Sequence, residues 1–265
     1  MTDAHREIGP LRLGEPLLDA SFLSMLDHRG ATPHWEPGTA ERFDLPEATT
    51  VLALTWSDGV VMAGDRRATA GNLIAHRRVR KVYPADEFSA VAISGTAGMA
   101  VELIKLFQTE LEHYEKIEGT RLSLDGKANY LARMVRGNLA LAFQGLIVVP
   151  LFCGYDDQAQ RGKLYSYDVV GGRYDEQDYA TTGSGGAEAR AFLKASWRED
   201  LAESDAIRLA LEALVAAAEE DAATGGPDPK RGIYPNVVTV TADGYREIPD
   251  EELAPVAATV LEGRP

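Results

Sequence analysis

Cysteine is nearly absent from this chain, since Cys153 is the only one in 265 residues. A single cysteine excludes an internal disulfide framework and is compatible with a reducing cytosol, so we expect a cytoplasmic protein. Cys153 lies in an apolar run that begins at Ile147. We therefore interpret it as a small buried residue rather than a catalytic thiol.

Long apolar stretches and an excess of positive charge are also missing. The apolar runs are far too short to cross a membrane, and the formal net charge of −14 disfavours nucleic acid and anionic membranes as partners. The five histidines have no metal-ligand spacing. The glycine-rich stretch Gly183-Ser184-Gly185-Gly186 fits neither the dinucleotide nor the P-loop motif. The sequence therefore predicts no metal and no cofactor.

Residues 1–48 differ in composition from the remainder of the chain. They contain five prolines, mixed charges and one short apolar cluster, residues 21–26. No basic start followed by a continuous apolar stretch is present, so the segment is not a secretory signal. Two interpretations stay open, a disordered tail and a removable propeptide. Residues 49–265 then form one domain.

The stretch from Ala48 to Asp65 organises this domain. Apolar residues alternate from Val51 to Trp56, Ser57-Asp58-Gly59 turns the chain, and a second apolar run follows from Val60 to Ala63. This pattern predicts a β-hairpin with an Asp-Gly turn. The hairpin begins with the threonine pair Thr49-Thr50, directly after the polar leader.

Thr49 is a candidate N-terminal nucleophile. A threonine hydroxyl needs a base, and a free α-amine, with a reference pKa of about 7.7–8.0, can take its proton directly or through a water. While Ala48 remains attached, that nitrogen is an amide and cannot act as a base. Cleavage between Ala48 and Thr49 would therefore activate the chain, and Thr50 is the alternative start.

The order of elements predicts an α+β fold. Strands are followed by two long helices, further strands, two more helices and a final strand pair before a last helix from about residue 250 to 261. The first helix follows Gly98 and stops near Gly119, and the second begins at the N-cap Ser123 and is expected to run through Phe143. The next two begin near Ala187 and at Ser204. Hairpins and paired helices favour antiparallel sheets with a helix pair on each outer face, a four-layer α-β-β-α sandwich.

Lys81 is expected to point inward. In a predicted strand it shares a face with Val79 and Tyr83, which are expected to point inward. An inward lysine needs a carboxylate partner, for which Asp65 is our candidate. The surrounding basic cluster from His76 to Lys81 is interpreted as a solvated strand face rather than a nucleic-acid patch.

Several motifs together resemble proteasome β subunits of the actinobacterial type. They are Thr49-Thr50-Val51-Leu52-Ala53-Leu54, Gly64-Asp65-Arg66-Arg67-Ala68-Thr69, Lys81, Ile93-Ser94-Gly95-Thr96-Ala97 and Ala223-Thr224-Gly225-Gly226-Pro227-Asp228. The resemblance runs from Thr49 nearly to the C-terminus. It implies the N-terminal nucleophile hydrolase fold, a propeptide over 1–48 and a catalytic domain over 49–265.

The resemblance also implies roles for single residues. Thr49 matches the nucleophile, Lys81 the buried lysine that favours the unprotonated amine and the alkoxide, and Asp65 the aspartate that holds the lysine. Gly95 matches the residue whose N–H stabilises the oxyanion. Ser184 and Asp221 match groups around the threonine amine, and Thr224 replaces a frequent serine; helix capping is the competing interpretation for these three.

A specificity pocket is implied as well, formed by Ala68, Thr69, Val79, Ile93 and Ala97. Since none of these side chains is charged, we expect cleavage after apolar residues with broad tolerance. The chain departs from the family at Ala48, where glycine is frequent. Alanine permits the strained turn of self-processing less readily than glycine, so we expect slower cleavage.

The resemblance implies partners too. These are other β subunits in two stacked heptameric rings, rings of an α subunit, a ring-shaped ATPase, and unfolded or tagged protein substrates. Two other functions stay open, a non-catalytic ring subunit and a self-processing amidohydrolase acting on small amides. The presence of Thr49, Asp65 and Lys81 together disfavours the first, because an inert subunit has no need of a buried charge pair.

Overall fold

The computed structural model describes residues 49–71 and 73–263, so the predictions for residues 1–48 lie outside the described residues.

The predicted hairpin is confirmed: β1 (Thr50–Trp56) and β2 (Gly59–Gly64) pair antiparallel from Val51↔Gly64 to Trp56↔Gly59, with Ser57 and Asp58 in the turn. Gly59 is required here because a Cβ would lie 2.4 Å from the Val240 carbonyl oxygen of the neighbouring strand.

The hairpin lies in the first of two five-stranded antiparallel sheets. The other strands are β3 (Ala68–Ala70), β4 (Leu73–His76), β5 (Val82–Asp86), β6 (Ser89–Gly95), β7 (Val148–Asp156), β8 (Arg161–Tyr167), β9 (Arg173–Glu176), β10 (Tyr179–Gly183), β11 (Asn236–Thr241) and β12 (Gly244–Glu247). The first sheet has the order β10-β1-β2-β11-β12 and the second β5-β6-β7-β8-β9, while β3 and β4 pair separately.

Six helices complete the described part of the chain. They are α1 (Ala97–Glu118), α2 (Leu124–Gly137), α3 (Leu139–Ala142), α4 (Gly186–Ser196), α5 (Glu203–Glu220) and α6 (Asp250–Glu262), with a short 3-10 turn at Pro229–Arg231. None of these helices is long and apolar enough to cross a membrane.

The described residues form three hydrophobic clusters, and β1 contributes alternate residues to two of them. Leu52 and Leu54 pack with residues of α4, α5 and α6, whereas Val51 and Ala53 pack between the two sheets. On the outer face of the second sheet, Phe107 of α1 meets Phe152 edge to face, with ring centroids 5.8 Å apart. The predicted four-layer α-β-β-α sandwich is therefore confirmed.

Two helix predictions were wrong in detail. The helix capped by Ser123, whose hydroxyl accepts the Gly126 N–H at 3.1 Å, ends at Gly137 and not at Phe143. Glycine is a weak helix former, and Asn138 leaves helical geometry there, so the short α3 is a separate helix. The helix predicted to begin at Ser204 begins one residue earlier, at Glu203, and Ala202 precedes it without a side-chain cap.

The predicted strand around Lys81 was also wrong. β5 begins at Val82, so Val79, Arg80 and Lys81 precede it, and the basic cluster after His76 is not a strand face. Val82 is fully buried, although the alternation placed it outside. The inward direction of Lys81 is confirmed, since only 4% of it is exposed.

Cys153 is fully buried between the two sheets. Burial raises the pKa of its thiol far above the ordinary value, so it is not a reactive thiolate. Among the described residues, no group of three or more His, Cys, Asp or Glu side chains could hold a metal ion.

Candidate active site

The start of β1 is held between two neighbouring strands. The Thr50 carbonyl oxygen accepts the Asp65 N–H at 3.1 Å, and the Thr49 carbonyl oxygen accepts the Ser184 N–H at 3.0 Å. Thr49 is buried, with 7% exposed. Gly183 permits this approach, because its φ is +101° and a Cβ there would lie 1.7 Å from the Thr49 carbonyl oxygen. The backbone of the candidate nucleophile is thus fixed on both sides.

Asp65 is the buried anion of the site, with no exposed surface. One carboxylate oxygen accepts the Thr50 N–H at 2.8 Å and the Lys81 ammonium at 2.5 Å. The other accepts the N–H groups of Arg67 at 2.8 Å and Gly225 at 2.9 Å. The predicted Asp65–Lys81 pair is confirmed, and four donors compensate the buried charge.

Lys81 is anchored at more than one point. Its ammonium also donates to the Arg67 carbonyl oxygen at 2.6 Å, and its backbone N–H donates to the Asn236 side chain at 3.2 Å. Burial lowers the pKa of Lys81, although the neighbouring Asp65 carboxylate acts in the opposite direction. A lysine with a lowered pKa beside a threonine can stabilise a developing negative charge and can also exchange a proton.

A hydroxyl network connects Asp221 to the start of β1. The hydroxyls of Ser184 and Thr224 each donate to the same Asp221 carboxylate oxygen at 2.6 Å. The Thr224 and Thr50 hydroxyl oxygens are 2.6 Å apart, and the Gly185 N–H donates to the Thr50 hydroxyl at 2.9 Å. Ser184, Asp221 and Thr224 therefore form one network next to Thr49 and Thr50, beyond the helix-capping interpretation.

The network also sets the charge of Asp221. Burial alone would raise the pKa of this carboxyl, but the hydrogen bonds from Ser184 and Thr224, with the positive charge of Lys81, hold it below its ordinary range. Asp221 is therefore ionised at neutral pH. An ionised carboxylate at this position favours a cationic or hydrogen-bond-donating group near the start of β1.

Gly95 is the last residue of β6 and leads into α1. Its φ is +110°, and a Cβ at this position would lie 2.1 Å from the Ile147 carbonyl oxygen. The next residue, Thr96, donates its N–H to that same oxygen at 2.9 Å. Glycine is therefore the residue that this turn accepts, which explains Gly95 at the predicted oxyanion position.

The predicted specificity residues lie in four separate segments. Ala68 and Thr69 are in β3, Ile93 is in β6, Ala97 is the first residue of α1, and Val79 is in the loop before β5. Ile93 packs in the core beneath α1, whereas Val79 lines an open cavity with His76, Arg77 and Arg78. A single pocket formed by all five residues stays a prediction.

Sequence reasoning did not assign three participating groups. Thr50 was considered only as an alternative start, yet its N–H and hydroxyl join the Asp65 and Asp221 parts of the site. Arg67 and Gly225 contribute backbone groups. Their signal was present in the Asp65-Arg66-Arg67 and Thr224-Gly225-Gly226 motifs, but motifs do not reveal which backbone groups meet.

Comparison with known proteins places this chain in a family. A family model described as proteasome subunit matches residues 46–227 of the chain. A protein named proteasome subunit beta, from Streptomyces griseus subsp. griseus, is 51% identical over 251 residues, which cover 92% of this chain and 89% of the relative. The family match includes Thr49, Asp65, Lys81, Gly95, Ser184 and Asp221.

Proposed function

Since the chain belongs to the proteasome subunit family as a β subunit of the bacterial type, we propose that it is a threonine peptidase whose nucleophile is Thr49. The family supports a role in proteolysis within a proteasome. The observation that carries the threonine assignment is the buried Asp65–Lys81 pair, which is hydrogen-bonded to the N–H of Thr50, the residue next to Thr49. The pair fixes a positive charge beside the start of β1, where it can act on the Thr49 amine and hydroxyl.

The reaction begins when the α-amine of Thr49 becomes free. The Thr49 hydroxyl attacks the scissile carbonyl carbon and gives its proton to the amine, directly or through a water. The tetrahedral oxyanion receives the Gly95 N–H. The amine then protonates the leaving nitrogen, the peptide bond breaks, and an ester to Thr49 remains. A water molecule hydrolyses this ester by the same route and restores the free hydroxyl.

The charged groups act before and after the proton transfer from the Thr49 hydroxyl to the amine. The positive charge of Lys81 favours the unprotonated amine and stabilises the alkoxide, while Asp65 fixes the lysine through a 2.5 Å hydrogen bond. Asp221 and Ser184 hold the protonated amine after the proton transfer. Lys81 thus favours the neutral amine before the proton transfer, and Asp221 stabilises the protonated amine after it.

Residues 1–48 act as a propeptide in this proposal. Two observations support the boundary: the family match begins at residue 46, and Thr49 directly precedes β1. The alignment with the Streptomyces relative covers 92% of the chain. Residues 49–265 make up only about four-fifths of the chain, which is less than the aligned share, so the alignment also includes part of residues 1–48. Thr49 cleaves the Ala48–Thr49 bond, slowly because alanine replaces the more permissive glycine.

Membership of the family supports assembly with other proteasome subunits. In our proposal the assembly has two stacked heptameric β rings, covered by rings of an α subunit and served by a ring-shaped ATPase in the cytoplasm. Its substrates are unfolded or tagged proteins. Enclosure of this kind restricts a broadly specific peptidase to chains that are threaded into it.

The intact mass of the purified chain, expressed together with its α partner, tests the proposal. We expect the loss of residues 1–48, a new N-terminus at Thr49 and hydrolysis of fluorogenic peptides by the assembled particle. A chain that assembles, keeps its leader and hydrolyses no peptide would be a structural ring subunit. A processed chain that cleaves small amides but no peptide would be a different amidohydrolase.

The preferred substrate residue before the scissile bond gives a second prediction. Because Ala68, Val79, Ile93 and Ala97 are uncharged, we expect kcat/KM for peptides with an apolar P1 residue to exceed that for acidic or basic P1 by roughly 10- to 200-fold. Discrimination among similar apolar residues should be weaker. A panel that differs only at P1 measures this, and preference for an acidic P1 would refute it.

Substitution of Gly95 by alanine gives a third prediction. We expect kcat to fall by roughly 10²- to 10³-fold, because the Cβ cannot fit 2.1 Å from the Ile147 carbonyl oxygen and the oxyanion donor must move. Gly98→Ala is the matched control, since a Cβ there meets nothing within 4 Å and alanine suits a helix. Equal activity of the two variants would remove Gly95 from the reaction.

A further inference from the structure

A basic cavity adjoins Asp65, since its lining includes Arg67 and Gly225, whose N–H groups donate to that carboxylate. Its lining includes three arginines, Arg66, Arg67 and Arg77, together with Gly225 and Gly226. The Arg66 Nε atom is buried and, within the described part of the chain, has no hydrogen-bond acceptor. The cavity around this nitrogen has a volume of about 30 Å³, enough for one water molecule that can accept its hydrogen bond.

The carboxylates of this region do not compensate these charges. Among residues 49–71 and 73–263, no ion pair includes Arg66, Arg67 or Arg77, and the Arg67 guanidinium donates only to the Ala222 carbonyl oxygen, at 2.8 Å. Asp228 lines the cavity, but Arg231 binds it at 2.6 Å. The cavity is therefore positively charged in a chain whose formal net charge is −14.

A second, more open cavity adjoins the first and shares Arg77 and Ile233 with it. It adds Arg78 and Arg231 to the lining. Arg78 is fixed by donating to the carbonyl oxygens of Arg231 at 2.5 Å and Gly232 at 3.1 Å. We call the two cavities together the basic groove, with five arginines: Arg66, Arg67, Arg77, Arg78 and Arg231.

The basic groove shares a wall with the candidate active site. The N–H groups of Arg67 and Gly225, both residues of the groove, donate to one oxygen of Asp65, while the Thr50 N–H donates to the other. Val79, one of the predicted specificity residues, also lines the open cavity. A peptide side chain that contacts Val79 there lies beside Arg77 and Arg78, which line the same cavity.

We propose that the basic groove is a subsite for carboxylate side chains of the peptide being cleaved, within a few residues of the scissile bond. The inference rests on the proposed peptidase function and adds a substrate preference to it. The planar guanidinium fork matches a carboxylate in geometry and charge. The groove would also offset the repulsion between an acidic peptide and an acidic subunit.

A peptide series tests the subsite. The peptides share one apolar P1 residue and carry a single Glu that moves along the positions on both sides of the scissile bond, with Gln peptides as the neutral reference. We expect one position, or two adjacent ones, to raise kcat/KM for Glu over Gln by roughly three- to tenfold at low salt. The ratio should fall towards one at high ionic strength.

Variants assign the effect to the groove. Arg77→Gln should bring the Glu-to-Gln ratio close to one, and Arg77→Glu should shift the preference at that position to a Lys peptide. Arg198→Gln, which removes the same charge from an exposed residue outside the groove, should keep the wild-type ratio. Each ratio is taken within one variant, so a change in overall activity cancels.

Three results would overturn the subsite. They are a ratio near one at every position in the wild type, a ratio that survives in Arg77→Glu, and an Arg77 variant that alters ring assembly but not the ratio. In the last case the groove binds a carboxylate of a neighbouring subunit and not one of the substrate. Failure of the neutral Gln peptides to be cleaved at all would instead refute the peptidase function on which the subsite depends.

Discussion

Replacement of Thr49 by alanine should leave residues 1–48 attached and reduce peptide hydrolysis by at least about 10⁴-fold. Alanine removes the hydroxyl that attacks the bond, both in the precursor and in the mature chain. The fold should survive, because the Thr49 carbonyl oxygen, which alanine keeps, accepts the Ser184 N–H. Intact mass and hydrolysis of a fluorogenic peptide, measured on the assembled particle, report the two losses.

Two further substitutions make this test specific. Thr49→Ser keeps the hydroxyl and the amine and loses only the β-branch that restricts χ1, so it should process and cleave more slowly but measurably. Thr50→Ala removes the hydroxyl bonded to Thr224 and Gly185, yet it should still produce an N-terminus at Thr49. An N-terminus at residue 50 in the wild type, or full activity of Thr49→Ala, would contradict the assignment.

The hairpin and the buried ion pair could be predicted because local patterns determine them. Alternation in β1 separates Leu52 and Leu54 from Val51 and Ala53, and the two sets do face different layers. Lys81 was predicted to point inward for a reason that was partly wrong. The strand was predicted to include Val79 but begins at Val82, the residue after Lys81. Burial of Lys81 therefore comes from its ion pair and its hydrogen bond to the Arg67 carbonyl oxygen, and not from strand alternation.

The hydroxyl network could not be predicted from local pattern. Thr50 and Thr224, whose hydroxyls meet at 2.6 Å, are 174 residues apart in sequence. Their approach depends on the end of α5, the start of β1 and the turn before α4, and no periodicity records such a meeting. The family resemblance proposed Asp221 and Ser184, whereas the roles of Thr50, Arg67 and Gly225 required coordinates because they act largely through backbone groups.

Replacement of Lys81 by methionine should have two separable effects. Methionine keeps most of the aliphatic side chain but removes the ammonium, so Asp65 remains as a buried carboxylate without its cation. Breaking a buried pair in this way costs about 3–5 kcal/mol of unfolding free energy. The loss of charge beside the nucleophile should also lower kcat by roughly 10²- to 10⁴-fold and slow the removal of the leader.

Lys127→Met separates these effects, because the chain contains a second buried lysine of similar exposure. Lys127 of α2, like Lys81, is 4% exposed, and it pairs with Asp86 at the end of β5. It has no contact with the groups around Thr49 described above, so its replacement should lower stability to a comparable degree without lowering kcat per assembled particle. Urea unfolding and peptide hydrolysis are measured on both variants. If both lose activity in proportion to stability, the Asp65–Lys81 pair is structural. If only Lys81→Met loses activity, the charge itself serves the reaction at Thr49.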